Sequence, residues 1–287
     1  MEDQGLWGPV NIPNETCMVW KLAHLWFWIK KRQDEWFVLL QRHQSLQSAP
    51  PGFRHPLLIS AQKDQTPFED LDTLPLHGES TEPPPVEGWS RFVTLQQEEL
   101  SILPALPDRP LVVRPFMRIS LLPGRWAQFF ITVPVWVSLA ARKVKKQTVF
   151  EEFPSQVLSS TWFGDTTGGE LCYALHTPLL REEPEGIIPP HQVVCPLIIR
   201  NQSNITLDFQ RLCIHVENLE IFHTPRGLFT NQVQVVFKGD DQATQIEIAK
   251  RPNKDGVSIE LLRPPREPMS RSVLRKTFDS IKEMTGL

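Results

Sequence analysis

A chain of 287 residues, 40% hydrophobic and 22% charged, is long enough to bury one large core or two ordinary ones. Its 27 prolines against 14 glycines exclude a helical protein, because proline lacks the amide donor and clashes inside a helix, whereas turns and strand edges accept it. A formal net charge of -3 excludes a general attraction to nucleic acid or to an anionic membrane.

The first twenty residues carry Glu2, Asp3 and Glu15 and have neither the basic start nor the apolar run of an export signal. The apolar run Leu25 to Ile29 is too short to span a bilayer. The expectation is a cytoplasmic chain that is not itself membrane-spanning. Cys17, Cys172, Cys195 and Cys213 show no CxxC spacing and lie in apolar runs, so they read as buried free thiols in a reducing compartment.

In chain order, TCMVWKLAHLWFWIKKRQDEWFVLLQR (16–42) reads as a hairpin with Lys30 to Asp34 as its polar turn. Trp20, Leu22, Trp26 and Trp28 alternate with Val19, Leu25, Phe27 and Ile29, an apolar pattern on both faces that suits a central strand. HPLLIS (55–60) is a further strand candidate. Residues 64–88 hold seven acidic residues, no Lys or Arg, and the triplet Pro83-Pro84-Pro85, a composition expected of an extended surface segment. WSRFVTL and ELSIL close a Trp-rich N-terminal β domain at residues 1–105.

LVVRP, RISLLPG and AQFFITVPVWVSLAA then read as strands punctuated by Pro and Gly, and predict an immunoglobulin-like sandwich over 106–262. In ITLDFQRLCIHVENLEIF the period-2 pattern changes phase at Gln210-Arg211, the mark of a β-bulge, and its parity makes His215 an outward residue. After the stiff linker PPREP, Leu274, Phe278, Ile281 and Met284 recur at helical spacing, which predicts an amphipathic C-terminal helix within 263–287. That segment has six Lys or Arg, Arg275 and Lys276 among them, against three acids. Its apolar face and basic residues are the candidate partner-docking element. The predicted fold class is therefore all-β: two β-sandwich-type domains, the larger immunoglobulin-like, plus that helix.

The chain holds no GxSxG elbow, no phosphate loop, no GxGxxG and no HExxH. No catalytic residue, cofactor or metal ligand is assigned on these grounds; His176, His191, His215 and His223 lack the HxH spacing of a metal-binding β-helix. The stretch LSSTWFGDTTGGELCYALHT (158–177) reads first as a hairpin, with strands before Gly164 and after Gly169. Second, it reads as a ligand lip in which Trp162, Phe163, Asp165, Glu170, Tyr173 and His176 are candidate binding residues, since aromatics beside carboxylates can hold a sugar or a cation. Lys30-Lys31-Arg32 and Arg142-Lys143-Val144-Lys145-Lys146 read as basic turns.

Several phrases run in one order along the chain: WGPV, the EW of the returning strand, PALPDRPLVVRP, LLPG into PVWV, LSSTWFGD with GELCYAL, CPLIIRNQS and LFTNQVQV. Together they make residues 5 to 250 resemble a family of uncharacterised prokaryotic proteins known as a conserved domain of unknown function, with TWFGD…GELCY its most specific block. The resemblance implies no activity, cofactor or catalytic residue; it implies a lead toward a mechanosensitive-type channel as partner. The expected function is a non-catalytic cytosolic interaction or regulatory module with a protein partner, reaching a membrane only through that partner. The alternatives are a small-molecule or carbohydrate-binding β protein and an enzyme with an unrecognised site, for which Asp165, Glu170 and His176 are the candidates.

Overall fold

The computed structural model describes residues 6–42, 77–79, 87–93, 99–143, 146–239, 244–252, 258–268 and 272–275. In chain order the first strands are β1 (Gly8–Val10), β2 (Cys17–Leu22), β3 (Leu25–Arg32), β4 (Glu35–Arg42), β5 (His77–Glu79), β6 (Ser90–Val93) and β7 (Glu99–Ala105). The middle holds β8 (Leu111–Arg114), β9 (Ile119–Leu121), β10 (Trp126–Pro134), β11 (Trp136–Lys143), β12 (Lys146–Pro154), β13 (Ser160–Phe163) and β14 (Glu170–His176). The last part begins with β15 (Gln192–Asn201), β16 (Leu207–Phe209) and β17 (Leu212–Ile214). It continues with β18 (Ile221–Thr224), β19 (Gly227–Thr230), β20 (Val233–Phe237), β21 (Thr244–Ile248), β22 (Glu260–Arg263) and β23 (Ser272–Arg275). A 3-10 turn at Val216–Asn218 is the only helical element among the described residues.

The chain divides into two compact units, Met1–Ser101 with Ala141–Phe150, and Ile102–Ala140 with Glu151–Leu287. β1, β7, β11 and β12 pair as a four-stranded sheet in the order β1-β7-β11-β12.

The first unit is built on the antiparallel sheet β5-β2-β3-β4-β6. Two-residue turns join β2 to β3 and β3 to β4, with Ala23 at φ 52° and Gln33 at φ 55°. The predicted single strand across Ala23-His24 is thus itself a hairpin. Because a two-residue turn preserves parity across the pair, alternation alone could not reveal it. Trp20 stacks on its cross-strand partner Phe27 at 5.4 Å between ring centroids, and both are buried with Leu25, Ile29 and Trp36. Lys30 to Arg32 belong to the end of β3 rather than to a turn.

The second unit centres on β15, buried on both faces, as the run VVCPLIIRN suggests. β10 lies antiparallel along one edge, from Trp126 opposite Arg200 to Pro134 opposite Gln192. On the other edge two strands follow end to end, both parallel to β15: Val193 and Val194 face β19, and Leu197 to Asn201 face β20. Pro196 falls in the gap between these two ladders, where β15 needs no amide donor, so a proline is tolerated in a central strand. β19 continues to β18 and β22, β20 to β21 and β23, completing an eight-stranded sheet.

Two further sheets follow, β13-β14-β8-β17 and β16-β9. In the first, β14 runs parallel to β8, whereas β13 and β17 are antiparallel to their neighbours.

These pairings overturn the predicted two-sandwich arrangement and its immunoglobulin-like half. An immunoglobulin sandwich is two packed antiparallel sheets, whereas here β8·β14, β15·β19 and β15·β20 are parallel and the described strands divide among five sheets. The C-terminal amphipathic helix is overturned as well. Ser272–Arg275 is a strand whose Leu274 lies opposite Gln245 of β21 and whose Arg275 lies opposite Thr244; its alternation with a β-sheet edge outweighed a helical spacing spread over only three turns. Lys276, Phe278, Ile281 and Met284 lie outside the described residues, as does HPLLIS at 55–60 and most of 64–88. The phase change at Gln210-Arg211 marks a change of sheet rather than a bulge: β16 pairs with β9, and β17 with β8. No described helix is long and apolar enough to cross a membrane.

Candidate functional site

The stretch 158–177 folds as the hairpin β13–β14. Ser160 lies opposite Tyr173, Trp162 opposite Leu171 and Phe163 opposite Glu170. Its turn is closed by Gly164, at φ 99°, against Gly169. A Cβ on Gly169 would lie 2.3 Å from Trp162 Nε1 and 2.6 Å from the Phe163 carbonyl, so only glycine fits. The Gly169 amide and the Trp162 indole N–H both donate to the Asp165 carbonyl, at 2.8 and 3.1 Å.

Directly opposed residues in an antiparallel pair share a face, so the hairpin has two unlike sides. The outer side presents Trp162 and Leu171, 47% and 45% exposed. The inner side carries Phe163, Glu170 and Cys172, with Phe163 and Cys172 fully covered. Arg211 donates to the Trp162 carbonyl at 2.6 Å, and its guanidinium lies over the Phe163 ring.

β8 lies between β14 and β17, and its Val112 is opposite Ala174 on one side and Cys213 on the other. These residues continue the inner face, and Val112, Phe163, Cys172 and Cys213 form one buried cluster. Within it the donor atoms of Glu170, Cys172 and Cys213 all lie within 4.8 Å of one another. Cys213 Sγ–H donates to Glu170 Oε1 at 3.9 Å, and Cys172 Sγ–H to the Glu170 carbonyl at 3.6 Å. The Cys213 thiol is pushed well above its ordinary range, first by its hydrogen bond with Cys172, then by burial, and then by the negative charges of Cys172, Glu170 and Glu217.

His215 follows β17 two residues after Cys213. Its Nε2 is 3.3 Å from Glu170 Oε1 and its Nδ1 is 2.9 Å from Glu217 Oε1. The predicted outward placement of His215 is therefore wrong: the face opposite Leu212 and Ile214 is buried too, because the hairpin's inner side covers it. Glu217 is also buried, and its Oε2 has no hydrogen-bond partner.

The six predicted lip residues thus separate. Trp162 stands outward, and Asp165 and His176 are exposed. Phe163 and Glu170 face inward. The Tyr173 hydroxyl donates to Asp108 Oδ1 at 2.9 Å, while Arg109 lies over its ring; burial, and then this hydrogen bond, raise the phenol above its ordinary range. Asp165 in the exposed turn and Glu170 on the inner face do not make the opposed pair that acid/base hydrolysis needs. Cys172, Cys213, His215 and Glu217 were not among the candidate residues. The available signal was a pair of i, i+2 spacings, Glu170-x-Cys172 and Cys213-x-His215, each placing two donors on one side of a strand.

A separate open cleft of about 380 Å³ lies in the second unit, lined by Glu220, Phe222, Lys250, Arg251, Ile259 and Leu261. Its lining comes from β18 and β22, with the residue before each, and from the residues after β21. Burial raises the Glu220 carboxyl above its ordinary range, against the pull of Arg251.

No curated protein and no solved structure matches the chain. A family model does, over residues 6–284, and takes in the hairpin, its turn and both strands that bear the inner cluster. By that match the chain belongs to the DUF432 family, described as a protein of unknown function.

Proposed function

We propose that this chain is a non-catalytic interaction or regulatory module and that the outer face of the 158–177 hairpin is a surface through which it meets a partner protein. The observation that carries this reading is the cross-strand pair Trp162–Leu171, which stays half-exposed while its immediate neighbours Phe163 and Cys172 are buried. Val157, 65% exposed, precedes it. The indole is fixed from behind by its bond to the Asp165 carbonyl and by the closely fitted Gly169. A fixed aromatic with an apolar neighbour is the kind of anchor on which protein interfaces concentrate their affinity, because little side-chain entropy is lost on docking.

The test compares the full chain with Leu171→Glu and Trp162→Ala in pull-downs from the native host, with solubilised membranes included. The expected result is a partner captured by the unaltered chain and lost from both variants, with their circular dichroism and melting temperatures preserved. A membrane channel among the captured proteins would support the partner that the family resemblance implies. Unchanged capture by both variants would refute the hairpin as the contact. A change in Trp fluorescence on titrating sugars, abolished in Trp162→Ala, would instead favour the carbohydrate-binding alternative, which rests on the same exposed indole.

A further inference from the structure

On the inner side of the same hairpin two carboxylates, two thiols and one imidazole converge. If Glu217 holds the Nδ1 proton of His215, as 2.9 Å implies, then Nε2 presents a lone pair. It presents it 3.3 Å from Glu170 Oε1, another acceptor. Two acceptors at that distance repel unless a cation lies between them. A second proton on the imidazole or a metal ion would fill that role.

The ligand chemistry distinguishes the two. A proton would account for Glu170 and His215 but not for two thiols within 4.8 Å of a Glu170 carboxylate oxygen. Tetrahedral zinc, with bonds of about 2.3 Å to sulfur and 2.0–2.2 Å to nitrogen or oxygen, sets its ligand atoms about 3.3–3.8 Å apart. The observed separations are 3.3 Å for nitrogen to oxygen and 3.9 Å for oxygen to sulfur, with the Glu170, Cys172 and Cys213 donors within 4.8 Å. His215 touches that group of three only through Glu170, so binding would draw its ring toward the two thiols.

We propose that Glu170, Cys172, Cys213 and His215 bind a zinc-class divalent transition-metal ion, with Glu217 as the carboxylate that orients the His215 ring. Mixed thiolate and imidazole ligands select such a metal over magnesium or calcium, which prefer oxygen alone. The carboxylate–histidine contact supplies the support that metal-bound imidazoles usually have. Glu170, with 41% of its side chain exposed, is the ligand nearest to solvent and marks the route of entry. On binding, the Cys172 and Cys213 thiols release their protons to water as the metal–sulfur bonds form.

The first test titrates the full chain, after chelator treatment under reducing conditions, with Co²⁺ and then displaces it with Zn²⁺. The expected result is one Co²⁺ per chain, with the near-ultraviolet absorption of a cobalt–thiolate bond and the visible bands of a tetrahedral site. Both should disappear when Zn²⁺ is added. Cys172→Ser and Cys213→Ser should each cut the thiolate band by about half or more and the double variant should lose it, whereas Cys17→Ser keeps it in full. Glu217→Gln should bind about 10–100-fold more weakly. With two thiol protons displaced, affinity should fall roughly 100-fold for each pH unit lowered. Absence of stoichiometric binding by the unaltered folded chain would overturn the proposal whatever the variants do. So would a Co²⁺ spectrum that survives loss of both cysteines.

Discussion

At the scale of single residues, Gly169 has the least freedom in the hairpin. A methyl group there would sit 2.3 Å from the Trp162 indole nitrogen. Gly169→Ala should therefore cost about 1–3 kcal/mol through forced displacement and should lower the denaturation midpoint in urea. Cys195 offers a second prediction. Burial pushes its thiol from 9.0 up to about 11, and a hydrogen bond involving Thr230 offsets part of this. The folded state thus holds the proton over a range in which the unfolded chain has lost it. Stability from this group is complete below about pH 9 and should fall by roughly 3 kcal/mol as pH rises to about 11. Comparison of stability against pH for the unaltered chain and Cys195→Ala checks this: the variant should show the shallower decline. The raised Cys213 thiol acts in the same direction.

At the scale of elements, the break between β19 and β20 is held by a side chain standing in for backbone. Buried Asn231 accepts the Glu220 amide with Oδ1 at 3.1 Å, at the place where the ladder to β15 shifts register. Asn231→Ala should leave that amide without its partner and destabilise the fold by about 1–3 kcal/mol, read from equilibrium unfolding. How much of this architecture was legible in the sequence depended on whether the determinant was local. The hairpin at 158–177 was readable because Gly164 and Gly169 bracket it and alternation runs up to each. The phase change at Gln210-Arg211 was visible too, but period-2 parity reports only which side a residue takes. It cannot say whether the next stretch stays in the same sheet, so a change of sheet looked like a bulge. His215 failed for a related reason. Parity placed it opposite Leu212 and Ile214, and nothing in the local pattern indicated that Phe163 and Cys172, some fifty residues earlier, cover that side. For the same reason the inner cluster went unseen, since its two donor pairs become one site only through β8 between them.

At the scale of the whole chain, the all-β character followed from proline content and alternation, while the choice of strand partners did not. Parallel pairing of β15 with β19 and β20 joins segments separated by more than thirty residues, and no turn signal encodes it. The C-terminal reading has a practical consequence. Arg266 donates to the Leu106 carbonyl, pairs with Glu152 and lies over the Trp136 ring. Arg266→Ala should cost about 2 kcal/mol through loss of its charged hydrogen bonds, measured as a lower melting temperature. A truncation meant to probe partner binding should therefore begin after Arg275. One that begins at residue 266 would confound lost binding with lost stability.

The first unit takes its chain from two places, Met1–Ser101 and Ala141–Phe150, and Phe150 meets Phe92 at 4.9 Å between ring centroids. During synthesis this has a cost in time. Since Phe150 is made 49 residues after Ser101 (150 − 101), a ribosome working at about 5–20 residues per second leaves the N-terminal part incomplete for roughly 2–10 s. Through that interval the nascent chain carries Trp-rich strands that lack a closing segment, a natural point for a chaperone to engage. A fragment that stops at residue 105 would hold that state permanently, and it should precipitate or bind hydrophobic dye where the full-length chain does not.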